Sequence, residues 1–353
     1  MERADKDLAF MLRYENVAWF TDGAVKILDR RIYPAKTQFV VCRSYPEVIT
    51  ALREMVTQST GPYTAAGAAM ALAAFECRGQ TKEKQAQFLI KAAAEISNAR
   101  PTTAKRMAII TNECLRAALD AIESEKDASE AVNERLIQLN NIRYNKVYKM
   151  AQYLCDKIPS GGGVMTQCFG ETIVGQMCRV LKETNKSDVK IFCPETRPYF
   201  QGARLTATVC LDMGMDVTVI SDNMPACVMK KENINVFTSA ADAICMDGSV
   251  INKIGTYQIA IAAKYHNIPY YVTGAPYKMH LSANDVEIEL RDPEFTLQAM
   301  GVRTAAKGVR GYYPAFDITP PELVSGVVTN KGVFAPNHLN EYFSDNDKPE
   351  LII

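Results

Sequence analysis

Cys168 follows GGVMTQ, a run that reads as a β-strand, and precedes Phe169, Gly170 and Glu171, which read as a turn into a helix. A thiolate there would gain from the partial positive charge of a helix amino terminus and would serve as nucleophile or acid–base group. The plainer alternative is a small, buried, inert hydrophobe, as most free cysteines are. Asp242 stands in SAADAIC among small and apolar residues. Burial there would raise the carboxyl pKa and let the acid donate a proton near neutral pH. An isolated Asp at a strand end also serves as an ordinary helix cap. Arg197, Gln201 and Arg204 in TRPYFQGAR are spaced i, i+4, i+7, so they predict one polar helix face, either solvated or able to hold a phosphate or sugar. Asn252 and Lys253 lead into IGTYQIAIAA, where free backbone amides and an ammonium would hold an anion. Arg100-Pro101-Thr102 reads as another helix start. One bound phosphate would account for all three groups.

Other chemistries lack their residues. The three histidines, His266, His280 and His338, have no metal-ligand spacing, so no metal is expected, and none is placed by a motif to activate Cys168 as a hydrolase nucleophile. No G-x-G-x-x-G opens a helix and no G-x-x-x-x-G-K-[ST] occurs, so no nucleotide cofactor is expected either.

These residues must be positioned by two kinds of element. Over the first forty or so residues, ENVAWF, AVKILD and TQFVVCR are short strand-like runs separated by turn signals, and they predict a β-meander. Helical periods follow over about 45–58, 62–78, 81–98, 101–123 and 126–157, with Pro46, Pro62 and Pro101 at helix starts. After Pro159 apolar strands alternate with helices near 171–185, 197–213, 223–231 and 252–266, the pattern of a parallel sheet covered on both faces. The expected fold is therefore α/β: a small helical amino-terminal domain with a short β-meander, residues 1–157, then a Rossmann-like parallel-sheet domain, residues 158–353. Ligands of such sheets sit beyond the carboxyl ends of the strands, where Cys168 and Asp242 fall. Residues 284–320 are less regular and read as an arm or loop insertion.

Composition narrows the function classes. The 353 residues are 48% hydrophobic and 23% charged, ordinary globular usage. Forty basic and forty acidic side chains cancel, leaving no basic excess to collect nucleic-acid phosphates. The most apolar stretch, Ala65 to Phe75, is far short of the ~20 residues a membrane crossing needs. Ten cysteines with no C-x-x-C pair, and a start MERADKDLAF without an apolar signal region, predict a reduced cytoplasmic protein.

Several blocks carry a family resemblance. ARPTTA, GARLTA, Asp242 in AADAI, DGSVINKIGTYQIA and PAFDITPPELVSGVVTNKGV, in that order and over roughly residues 40 to 336, resemble the methylthioribose-1-phosphate isomerase family. Its relatives include other sugar-phosphate isomerases and regulatory subunits of the translation-initiation exchange factor. The resemblance implies a helical domain followed by a Rossmann-like one, a homodimer, a sugar-phosphate substrate, and isomerisation of an aldose 1-phosphate to the ketose. It also implies Cys168 and Asp242 as the catalytic pair and Gly61, Arg100, Gln201, Asn252 and Lys253 as substrate or phosphate ligands. The alternative it carries is a non-catalytic subunit of the same fold that senses a sugar phosphate or nucleotide, against which both Cys168 and Asp242 are kept.

The chain departs from the family pattern around the substrate. Thr60 precedes Gly61 where the family has an arginine. Losing a charge-assisted bond worth ~1.5–3 kcal/mol would weaken phosphate binding roughly ten- to hundredfold unless Arg197 or Lys278 compensates. Phe169-Gly170-Glu171 and Cys245-Met246-Asp247-Gly248 also differ from the usual small residues. A changed sugar specificity is therefore as consistent with the sequence as the parent reaction.

Overall fold

The computed structural model describes residues 2–100 and 104–343, without the side chains of Lys105 and Arg106. The described chain divides into two compact units inside one helix, between Lys146 and Val147, whereas the sequence reading places the division after that helix, at 157. A continuous helix carries no break in composition at such a point.

The first unit opens with a short helix α1 (Tyr14–Val17), which takes the first part of the expected strand ENVAWF. Strands β1 (Ala18–Thr21), β2 (Ala24–Leu28) and β3 (Phe39–Cys42) then form an antiparallel meander. Helices α2 (Tyr45–Arg53), α3 (Gly61–Glu76), α4 (Lys82–Ser97), α5 (Ala104–Glu123) and α6 (Ala128–Cys155) follow. Pro46 and Pro62 stand in the first turns of α2 and α3, where the missing N–H costs nothing. Pro101 and Thr102 lie outside the described residues. Helix α3 is buried on nearly every face, the condition an all-round apolar sequence requires. Its small residues allow that burial: a Cβ on Gly67 would stand 2.4 Å from Leu136 Cδ1.

The second unit is built on β4 (Gly163–Met165), α7 (Thr172–Glu183), β5 (Lys190–Pro194), a π-helical turn (Gly202–Thr206) running into α8 (Ala207–Asp212), β6 (Asp216–Ile220), α9 (Pro225–Lys231) and β7 (Ile234–Ala240). Next come β8 (Ala243–Ile244), β9 (Val250–Lys253), α10 (Thr256–Tyr265), β10 (Tyr270–Thr273), a small hairpin β11 (Gln298–Ala299) and β12 (Val302–Arg303), then β13 (Phe316–Thr319), β14 (Gly326–Thr329) and β15 (Gly332–Phe334). The main sheet has the order β15-β14-β10-β7-β4-β5-β6, parallel except for the edge strand β15. Its inner strands β4 and β14 are wholly buried, and the edge strand β6 is largely exposed apart from Ile220. The chain winds outward from β4 through β5 to β6, then returns to β4's other side as β7 and winds out again. That reversal is the topological switch point of a doubly wound sheet, and it lies between the carboxyl ends of β4 and β7. Strands β8, β9 and β13 form a separate antiparallel sheet.

Two expected helix starts move. The helix expected from 197 begins only at Gln201, because Thr196 and Phe200 have φ of 63° and 57°, outside the right-handed helical region. Arg197, Gln201 and Arg204 therefore share no helix face. Asn252 and Lys253 end strand β9 instead of opening a helix, and α10 starts at Thr256. Cys168 is four residues ahead of α7, whose cap position is Glu171.

Candidate active site

The switch point carries a small cavity of about 20 Å³, lined by Gln167 and Cys168 after β4, Ser239 and Ala240 from β7, Thr273 from β10, and apolar side chains of α7. Cys168 is half-buried and takes a left-handed backbone, φ 58°. Desolvation pushes its thiol up to about 11; the nearby Lys253 charge works against this and Asp242 adds to it. Burial thus outweighs the expected helix-dipole effect, and the resting group is a neutral thiol. Cys168, Asp242 and Lys253 interact electrostatically, so the structure brings these three sequence candidates together.

Asp242 corrects an expectation. It follows β7 in a bend and is exposed, not buried. Only two residues of small strand (β8) follow before the chain turns again, too little to cover it. Its amide is nevertheless fixed by donating to Ile251 O at 2.9 Å.

Lys253 is buried, which pushes its ammonium pKa down, while Cys168 and Asp242 push it up. Its Nζ lies 4.4 Å from the centre of the Phe316 ring, a cation–π contact. Neighbouring Asn252 is also buried, and its Nδ2 donates to Thr256 Oγ1 at 2.9 Å, bracing the turn into α10. Gln201 is buried with an Oε1 that has no hydrogen-bond partner among the described residues, an open acceptor costly unless a ligand or water meets it. Gln167 has the same property: its Nε2 donates to Ile254 O at 3.0 Å and its buried Oε1 is unmet. No hydrogen bond joins Gln201 or Asn252 to Cys168 among the described residues.

In the first unit, Gly61 opens α3 beneath a crowded loop. A Cβ there would stand 1.9 Å from Thr57 Oγ1 and 3.0 Å from a guanidinium nitrogen of the buried Arg30. Arg143 of α6, also buried, donates to Thr60 Oγ1. A cation therefore reaches the position where the family's arginine is absent. The two cations expected to compensate are engaged elsewhere: Arg197 donates to the carbonyls of Phe295 and Gln298, and Lys278 packs on the Phe343 ring. Arg100 is half-buried just before the undescribed residues.

Sequence reasoning missed the wall supplied by the irregular segment after β10. Arg291 pairs with Glu289 and lies over the Tyr199 and Phe316 rings, and its charge is felt at Lys253. Tyr313 is buried, with its phenol pushed up to about 12 by desolvation and influenced by Cys168. Nothing in the local pattern of 284–320 ties these residues to β4; only the pairing of β13 with β9, Asp317 opposite Asn252, brings them back.

Fold and site together define a doubly wound α/β protein with a thiol, a carboxyl and an ammonium at its switch point. The chain belongs to the Initiation factor 2 subunit family, which it matches over residues 58–336. It is 33% identical over 335 residues to the methylthioribose-1-phosphate isomerase of Chloroflexus aurantiacus, covering 91% of this chain and 95% of that one. The crystal structure of 5-methylthioribose 1-phosphate isomerase from Pyrococcus horikoshii OT3 is similar with a TM-score of 0.82 and 27% identity, covering 96% of this chain and 97% of that one. The structure of the translation initiation factor eIF-2B, subunit delta, from A. fulgidus is similar with a TM-score of 0.78 and 31% identity, covering 91% and 96%.

Proposed function

We propose that this protein is an aldose–ketose isomerase, converting methylthioribose 1-phosphate or a related pentose 1-phosphate to the ketose 1-phosphate, with Cys168 and Asp242 as its acid–base pair. The observation that carries the reading is the placement of a half-buried thiol and a carboxyl after the adjacent strands β4 and β7, both within electrostatic reach of the buried Lys253. The relatives named as methylthioribose-1-phosphate isomerases support the substrate class.

The chemistry asks for these residue types. An aldose phosphorylated at C1 cannot open spontaneously, so a proton must reach the ring oxygen as the C1–O bond breaks. A proton then leaves C2, an enolate forms across C1 and C2, and a proton returns to C1 while the C2 hydroxyl becomes the ketone. C2 is oxidised and C1 reduced, and the electron balance closes inside the substrate. Cys168, as the minor thiolate that the Lys253 charge favours, takes the C2 proton and returns it to C1, while Asp242 gives a proton to the ring oxygen and takes one from the C2 hydroxyl. Direct hydride transfer from C2 to C1 has the same balance and leaves Asp242 the same work. Lys253, Gln201 and Asn252 in the second unit, and Gly61 and Arg100 in the first, are the proposed substrate and phosphate ligands. We also propose a cytoplasmic homodimer.

The test incubates the protein with methylthioribose 1-phosphate, 5-deoxyribose 1-phosphate and ribose 1,5-bisphosphate, following ketose formation by proton NMR. One substrate is expected to turn over, with a loss of at least about a hundredfold in Cys168→Ser and in Asp242→Asn. Binding without turnover of any of them would favour a sensing subunit, the second reading that the A. fulgidus relative supports.

A further inference from the structure

Cys168 holds a backbone conformation that a non-glycine residue rarely adopts, and the loops around it are tied to keep it there. Its N–H donates to Thr196 Oγ1 at 3.2 Å, and its carbonyl accepts from Thr206 Oγ1 at 2.5 Å. Both threonines are buried, so neither bond is shared with bulk water. The Thr196 hydroxyl in turn donates to Pro194 O at 3.2 Å. The loop carrying Thr196 is anchored from the next strand: Asp222 accepts the N–H groups of Thr196 and Arg197, each at 2.7 Å. Gly202 lets the π-helical turn press close, since a Cβ there would stand 1.8 Å from Pro194 O and 2.9 Å from Thr196 Oγ1. The connections after β4, β5 and β6 are thus linked in series, and Thr206 closes the linkage from the helical side.

We infer that Thr196 and Thr206 are positioning residues for Cys168: together they clamp its peptide groups so that the thiol is presented to the switch-point cavity in one orientation. The clamp rests on the proposed role of Cys168 for its effect on turnover, but not for its effect on the thiol itself. A threonine in a helix would ordinarily satisfy its hydroxyl on a carbonyl one turn back, as Thr208 does on Arg204 O at 2.7 Å. Thr206 instead turns its hydroxyl across to Cys168.

The test compares Thr206→Val, which keeps shape and loses the donor, with Thr206→Ser, which keeps the donor, and with Thr208→Val as a control on the same helix. Iodoacetamide labelling of Cys168, read by peptide mass spectrometry over a range of pH, is expected to run three- to tenfold faster in Thr206→Val, with Thr206→Ser and Thr208→Val as wild type. Turnover is expected to fall ten- to hundredfold in kcat with KM changed less than threefold, and to be rescued by Ser. If Thr206→Val does not fold, Thr196→Ala against Thr196→Ser asks the same question of the amide side. Labelling in Thr206→Val or Thr196→Ala indistinguishable from Thr208→Val overturns the clamp. Faster labelling with unchanged turnover upholds the clamp and removes Cys168 from the proposed chemistry.

Discussion

At the residue scale, environment outweighs position. Cys168 sits where a sequence reading assigns it thiolate character, yet its thiol is held at about 11 because desolvation exceeds the help of Lys253. Cys227 is the exposed cysteine of the ten. Iodoacetamide at neutral pH is therefore expected to label Cys227 first, with Cys168 labelling rising about tenfold per pH unit toward 11. Labelling of Cys168 that is already complete and flat at pH 7 would contradict its burial. Asp242 was identifiable as a candidate by its neighbours in sequence, but its exposure was not, since small neighbours along a chain do not say what covers a bend. Thr196 and Thr206 were invisible as partners of Cys168, and Asp222 as the anchor of Thr196, because these bonds join three separate strand–helix connections.

At the element scale, helix starts do two jobs in this chain. Asp317 on β13 caps α10, accepting from Gly255 N at 2.7 Å and Tyr257 N at 3.2 Å, while its Oδ1 is buried without a partner. Burial raises its pKa from 3.8 to about 6. A carboxyl raised above its unfolded value favours folding while protonated, and that contribution is lost as pH rises through about 6. Urea unfolding at pH 4 and pH 7 is expected to show Asp317→Asn gaining on the wild type by roughly 2 to 3 kcal/mol between the two. An unchanged difference would mean the carboxylate is better compensated than its bonds indicate. Gly61 is required by packing: Gly61→Ala is expected to cost about 1–3 kcal/mol in urea, and much of it should return in Gly61→Ala with Thr57→Ala, which removes the hydroxyl 1.9 Å from the new methyl. Additive costs in that pair would place the strain elsewhere. Helix and strand positions were largely legible because proline, turn residues and periodicity are local signals. The shift of α10 to Thr256 and the turn at 197–200 were not, since pairing with β13 and the left-handed residues come from tertiary contact.

At the scale of the whole molecule, the sheet order decides where chemistry can happen. Reversal of winding between β4 and β7 opens a crevice lined by Cys168, and Asp242 follows the adjacent strand β7. Running the proposed isomerisation in D₂O tests the route through this crevice: deuterium at C1 of the ketose is expected for the enolate path, and retention of substrate hydrogen would assign hydride transfer. None of the helices among the described residues is long and apolar enough to cross a membrane. By itself the sequence determined the alternation of strands and helices, the residue types at strand ends and the family, because these rest on periodicity, turn chemistry and ordered motifs along the chain. Only the tertiary structure decided which strand ends are neighbours, which groups are desolvated and which cation stands at Thr60. Those depend on side chains far apart in sequence meeting in a low-dielectric interior, where burial and partners, not residue type, set charge and orientation.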